Sequence, residues 1–516
     1  MRLTAFLVLS ITVLGLSSCE SYQKNSTHQN VSDESIKAGK QLAAVYCQSC
    51  HLLPDPSMLD AKSWEKGVLP RMGPMLGIFQ NGFEEYPSYR NDRYLGKGFY
   101  PSEPLLDPGQ WQQIIDYFAA LAPDTIYANK NDEPISGELE VFSPEWPAFK
   151  DSASRISYIK INSSNSPNTL MLYEVNRRTA FRFDHQITPI DSIEAGTSFV
   201  DVTDKNSFSI VCNMGTIAPN NRAEGSINNY GIDSSGKMVF DSIPLIDSLR
   251  RPVGLSISDI NADGKDDIVV CEYGNIRGTV SWFENKGDQK FTKHIIKEVP
   301  GAIKIWVNDI NHDGLPDIYT LFAQGDESIF LFTNDGHGGF IEKRLLRFPA
   351  VYGSTYFEMA DVNHDGFPDI VYTCGDNADY SPILKPYHGV YIFINDGNNE
   401  YTQKYFFHLN GCYKALARDF DNDGDLDIAT ISFFADFNNR PEEGFVYLEN
   451  QGNLAFKPFS LAETQKGRWL TMDAGDLDAD GKIDIVLGNF AAPMATKFSK
   501  KFEQAPPFLL LRNKIK

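Results

Sequence analysis

The sequence predicts a multidomain chain, a small all-α domain over residues 33–123 followed by an all-β propeller over 137–516. Seven blades fit best, with six or eight as the alternatives. Two observations carry this reading. Residues 33–123 place apolar side chains at helical spacing between start and stop signals. From 137 onward the chain changes to short strand-like runs and glycine turns, and one acidic pattern recurs five times at a near-constant period. At 516 residues the chain exceeds one ordinary core, and its 42% hydrophobic content is that of a folded protein. A formal net charge of -21 argues against nucleic acid as a partner, because phosphate binding needs a basic surface.

Residues 1–19 read as an export leader. Arg2 supplies the positive end, and residues 3–16 form an apolar run too short to span a bilayer. The run ends in Leu16-Ser17-Ser18-Cys19, which resembles the bacterial lipobox. That resemblance implies acylation of Cys19, with residues 20–32 as a polar tether to the membrane. Ser32 or Asp33 is placed to cap a helix ending at Tyr46. Asp107-Pro108-Gly109-Gln110 opens a second, marked by Trp111, Ile114, Ile115, Phe118 and Leu121 and stopped by Pro123. Residues 124–136 form a polar linker.

The acidic repeat is Asp-x-Asn/Asp-x-Asp-Gly-x-x-Asp. Its copies are Asp259-Asn261-Asp263-Asp267, Asp309-Asn311-Asp313-Asp317, Asp361-Asn363-Asp365-Asp369, Asp419-Asp421-Asp423-Asp427 and Asp476-Asp478-Asp480-Asp484. Each copy sits between strand-like runs and is followed by an aromatic or aliphatic strand ending in Asn285, Asn334, Asn395, Asn450 or Asn513. Two weaker units precede them, one aligning Asp201 with Asp259, the other running from Ile159 to Tyr173. Units of this size hold a four-stranded blade, and a closed ring removes exposed sheet edges. The last unit stops after its third strand. Glu138-Leu139-Glu140-Val141-Phe142 is the expected donor of the missing outer strand.

Cys47-Gln48-Ser49-Cys50-His51 has the chemistry of covalent haem attachment. Its two thiols add to the vinyl groups, and the adjacent histidine binds the iron. A zinc site would need a second Cys or His pair at ligand spacing, and none follows in the helical stretch. A thioredoxin-like pair would need an alternating strand and helix pattern. Met58, Met72 and Met75 are local candidates for the second axial ligand. Resemblance to class I cytochrome c domains favours Met72, which closes a Trp64-to-Met72 stretch like that of compact bacterial cytochromes, with Met75 as the alternative. Cys212, Cys271, Cys374 and Cys412 show no disulfide framework and read as buried thiols.

In the acidic loops, oxygens at positions one, three, five and nine and the carbonyl at seven can surround a calcium ion, and the glycine at six permits the turn. Position twelve holds Val270, Thr320, Tyr372, Thr430 or Leu487 in place of the glutamate of an EF-hand. Five calcium ions would bring the formal charge from -21 to about -11. These units resemble the FG-GAP or VCBS repeats, calcium-binding propeller units also seen in integrin alpha subunits. The pairing with a haem motif resembles cytochrome-bearing repeat proteins of Bacteroidota.

The resemblance implies an exported electron-transfer lipoprotein on the periplasmic or cell-surface side of the outer membrane. It would carry one haem c and about five calcium ions, with a redox partner or small ligand at the propeller. A propeller dehydrogenase, quinone-dependent and passing electrons from a sugar or alcohol to its own haem, is one alternative. A surface carbohydrate-binding module is another. Loops near 374–389, 433–444 and 490–507 are expected opposite the acidic rim, with Tyr380, Tyr387, His388, Lys414 and Trp469 near them mostly as packing residues.

Overall fold

The computed structural model describes residues 21–127, 133–148, 153–163, 167–196, 198–205, 208–378, 381–491 and 502–515. Cys19 and Tyr380 lie outside them. The first helix, Asp33–Tyr46, starts where its cap predicts: the Ser32 hydroxyl accepts from the Ser35 N–H at 3.1 Å. The second, Pro108–Leu121, opens on a capping box between Asp107 and Gln110. The two helices pack so closely at Gly39 that a Cβ there would lie 1.9 Å from the Gln113 carbonyl oxygen. Between them run short helical turns, an irregular stretch and a small hairpin pairing Gln80–Asn81 with Glu84–Glu85.

The separate all-α cytochrome c domain expected from the sequence is overturned. The chain is almost entirely a propeller, and its helical N-terminal part is a cap that shares its core with the blades. Trp64, Trp111, Ile114 and Phe118 are buried in one cluster with Val351, and Ile383 and Tyr387 pack against it. The Tyr387 hydroxyl donates to the Met58 carbonyl at 3.1 Å, and Asn221 Nδ2 donates to Asp92 Oδ2 at 2.8 Å. Caps and helical periodicity report local structure only. They carry no sign that the apolar face closes on residues some 300 positions later.

Seven blades form the ring. Their inner strands are Ile156–Asn162, Phe199–Lys205, Pro252–Ser258, Ala302–Asn308, Ser354–Ala360, Cys412–Arg418 and Trp469–Gly475, defining blades 1 to 7. Each inner strand touches the next, and the last returns to the first. All pairings are antiparallel. The second strand of blades 3 to 7 is buried at every position, as in Asp427–Ser432, because a neighbouring blade covers each face. Blade 2 adds a short strand, Ile246–Leu249, paired to its third.

Two details differ from expectation. Asp201 sits inside the inner strand of blade 2, not at the loop position of Asp259. There its Oδ2 accepts from the Leu255 N–H of blade 3 at 3.0 Å. Glu358 and Asp473 make the same bond to Ala417 and Ile161 at 2.8 Å, so inner-strand carboxylates staple blades 2 to 3, 5 to 6 and 7 to 1. The closing strand is Phe142–Glu145, shifted past the expected 138–142 and paired to Phe508–Asn513. It includes Pro144, which an edge strand tolerates because its missing N–H faces outward. Leu139 and Val141 instead fill the blade 7 core.

Glu327 is a further inter-blade clamp. It is buried, and it accepts from Gly353 N at 3.2 Å, Ser354 N at 2.8 Å and the Ser354 hydroxyl at 2.5 Å. Burial pushes its carboxyl up to about 7, against the three hydrogen bonds that favour the anion. Its folded value lies above the unfolded one. The stability it contributes is therefore full below about pH 4.5 and is lost as pH rises through about 7. Glu327→Gln should flatten the fall in stability between pH 5 and 7.5 by about 2–3 kcal/mol. Urea unfolding at the two pH values measures this, and an unchanged slope refutes it.

Candidate functional site

Each acidic loop joins the first and second strands of its blade, so all five lie on one rim. In blade 3 the Asp259 carboxylate accepts from Gly264 N at 2.8 Å and Asp263 N at 3.1 Å. The same bond from the glycine recurs in the other four loops at 2.8–3.1 Å. Both the fourth and sixth positions are left-handed. Ala262, His312, His364, Asn422 and Ala479 have φ of 55–62°, and the glycines 81–98°. A non-glycine residue held there costs about 1 kcal/mol, which the turn's own hydrogen bonds offset.

The ninth-position aspartates are buried and latch two elements together. Asp267 accepts from Ile260 N at 3.0 Å and Asn285 N at 2.8 Å. Asp317, Asp369, Asp427 and Asp484 repeat this with Asn334, Asn395, Asn450 and Asn513 at 2.8–2.9 Å. Burial, the first cause in each case, pushes Asp369 and Asp484 up to about 6 and Asp427 to about 7. The strand-ending asparagines thus have a role that their sequence pattern did not disclose. Two of them also cross between blades: Asn334 Nδ2 donates to Ile260 O at 2.8 Å and Asn513 Nδ2 to Phe420 O at 2.7 Å.

The loops differ in how well a cation fits them. In blades 4 and 5 the third-position asparagine donates to the fifth-position carboxylate, Asn311 to Asp313 at 2.9 Å and Asn363 to Asp365 at 2.8 Å. Blades 6 and 7 have aspartate there and no such donor. Oxygens of Asp419, Asp421 and Asp423 all lie within 4.8 Å of one another, as do those of Asp476, Asp478 and Asp480. Asp419 Oδ1 and Asp478 Oδ1 are buried with no hydrogen-bond partner. Burial, then the neighbouring Asp423, pushes Asp421 up to about 6. Crowded, partly orphaned carboxylates are what a divalent ion would relieve.

Blade 7 also holds a cation of its own. Arg512 reaches Asp484 Oδ2 at 3.0 Å, Asp478 Oδ2 at 3.3 Å and Glu145 of the closing strand at 3.3 Å, and donates to the His185 carbonyl at 2.7 Å. Arg512→Gln would leave these acids unpaired and should destabilise the chelated protein by about 3 kcal/mol. Added calcium should recover more of the melting temperature in the variant than in the parent; equal recovery counts against this role.

The Cys47–His51 run begins as the first helix ends, with Cys47 as its C-cap. Among the described residues every cysteine is a free thiol, Cys47 half-buried and Cys50 exposed. The four propeller cysteines are buried, as expected. Burial, with Cys50 beside it, pushes the Cys47 thiol up to about 11. His51 Nδ1 lies 3.0 Å from the Leu52 carbonyl, which can only accept, so this bond places the proton on Nδ1 and leaves Nε2 without one. Cys47, Met58 and Met72 pack on one core, whereas Met75 is 42% exposed.

This helical cap meets connections between second and third strands and between successive blades, so it covers the rim opposite the acidic loops. Of the aromatics expected there, the described Tyr387 and Trp469 are packing residues. Tyr387 stacks on Tyr352 at 4.9 Å, and Trp469 is buried with its indole N–H on Thr464 O at 2.7 Å. Lys414 donates to Met472 O at 2.8 Å.

Residues 259–320, 309–372 and 419–487 match the FG-GAP-like repeat. Each window starts at the first aspartate of one acidic loop and ends in the second strand of the next blade, so the sequence repeat spans a blade junction. The crystal structure of the N-terminal domain of Nup159 resembles this chain with a TM-score of 0.42 at 10% identity, covering 75% of this chain and 99% of that one. A chain in an S. cerevisiae complex of Dbp5, Nup159 and Gle1 with IP6 and ADP gives 0.40 at 9%, covering 74% and 97%. The chain carries FG-GAP-like repeats on a seven-bladed propeller.

Proposed function

We propose that this protein is an exported electron carrier with one covalently held haem, whose cation-braced propeller docks a partner or ligand. The observation that carries the reading is the Cys47–His51 run, with two free thiols and a histidine whose Nδ1 is fixed by a carbonyl. When bound, the haem would supply reversible one-electron transfer. Cys47 and Cys50 would hold it, and His51 would ligate its iron. Met72 is the better second ligand, because it shares the core of Cys47 while Met75 faces solvent. At neutral pH the Cys47 thiol is protonated and weakly nucleophilic, so attachment calls for a host with c-type maturation.

The acidic loops serve as braces on the far rim, with calcium fitting the oxygen donor set. The leader ending at Cys19 would route the chain outward and anchor it by lipid. Among the described residues no helix is long and apolar enough to cross a membrane. In a maturation-competent host, the purified protein should show a c-type reduced-minus-oxidised band that survives denaturation. Cys47→Ser with Cys50→Ser should lose it, and a parent protein without the band refutes the haem. For the braces, chelation should lower the melting temperature, and an unmoved midpoint refutes the calcium assignment.

A further inference from the structure

Between Tyr89 and Tyr100 the cap passes over blades 2 and 3 and folds round a cavity of about 580 Å³. Its lining carries Arg90, Arg93 and Lys97 against a single acid, Asp92. That acid is already engaged. Asn221 donates to its Oδ2 at 2.8 Å and Tyr94 N to its Oδ1 at 2.8 Å, and these bonds hold its carboxyl below the usual range.

The arginines here lie over aromatic rings. Arg90 lies 4.9 Å from Phe79, and Arg93 and Arg222 lie 4.6 and 5.4 Å from Tyr94. From the propeller side, Arg277 lies 5.7 Å from Phe99 of the cavity wall. An arginine held over a ring is pre-organised for planar oxyanions, and Arg93, whose Nη2 also donates to the Tyr94 hydroxyl, has further N–H groups to offer. Arg90 and Arg222 have carboxylate partners, Glu85 at 3.0 Å and Glu224 at 2.9 Å. Among the described residues Arg93, Lys97 and Arg277 have none. Arg277 Nε is buried without an acceptor, and so is the amide nitrogen of Asn275, a residue only 8% exposed.

A chain of net charge -21 has acid to spare, yet Arg93 and Lys97 on this wall, and Arg277 beside it over Phe99, have no carboxylate partner among the described residues. We propose that this cleft binds a small polyanion, with Arg93, Lys97 and Arg277 each taking a carboxylate, sulfate or phosphate group. Three cations call for a ligand that carries at least two such groups. The inference rests on the ligand-docking part of the proposed function and is independent of the haem.

The test is calorimetric titration of the full chain with inorganic pyrophosphate, citrate and a sulfated disaccharide at about 50 mM salt. At least one should bind with micromolar to low-millimolar affinity, and the arm that binds names the oxyanion. Arg93→Gln with Lys97→Gln, both exposed, should weaken it about tenfold and flatten its salt dependence. Arg277→Gln should weaken it by a similar factor, and Lys343→Gln on a distant outer strand should not. Binding in haem-free protein keeps the inference standing if the haem assignment fails. Failure of every probe, equal affinity in the double variant, or equal loss in Lys343→Gln would overturn it.

Discussion

Replacing Asp427 by alanine is expected to destabilise the protein by about 3–5 kcal/mol, measured in chelator so that no cation contributes. Asp427 is fully buried. Its Oδ1 accepts from Asn450 N at 2.8 Å, and its Oδ2 from Phe420 N at 3.2 Å and the Tyr447 hydroxyl at 2.6 Å. Alanine strands three donors where water does not reach, and each stranded donor costs about 1–3 kcal/mol. Asp427→Asn keeps one acceptor but points an amide N–H₂ at another donor, so it should lose about half as much. Asp263→Ala provides the contrast, because Asp263 is exposed and its loss should cost under about 1 kcal/mol. If both alanine variants unfold at the same urea midpoint, the ninth aspartate is not the latch its geometry describes.

The latch also marks where reading the sequence stops. The aspartates and glycines of the loop were legible because their spacing is set by a local turn, with donors two to five residues away. The asparagine ending the third strand was visible as a repeat, but its partner lies 17 to 29 residues back across two strands. Spacing gives no sign of such a bond. Asp201 was misplaced for a related reason. Its unit has no acidic loop to fix the register, so only a short apolar run was left to align. In the helical cap, Ser32 and Asp107 were plain start signals, because capping is a local bond. That the cap shares its core with Val351 and Tyr387 depends on tertiary packing alone.

The closing strand carries the second large prediction. Phe142→Ala should destabilise the protein by about 3–5 kcal/mol and do so through the ring, not through one blade. Phe142 is 1% exposed, and its ring sits 5.7 Å from Phe420 and 5.8 Å from Tyr447, both in blade 6. Its backbone is paired opposite Asn513, whose side chain reaches blade 6 through the Phe420 carbonyl. The same strand supplies Glu145 to Arg512. One short segment from before blade 1 therefore completes blade 7 and ties it to blade 6. Loosening it exposes the Phe508–Asn513 edge, with unpaired backbone groups flanked by buried leucines. The variant should unfold at lower urea and gain concentration-dependent aggregation near its midpoint. Hydrogen exchange should quicken first in 508–513 and then in 484–489, the strands next to the closing strand. A uniform rise across all seven blades, or exchange confined to 142–145, would show that the ring does not depend on this closure.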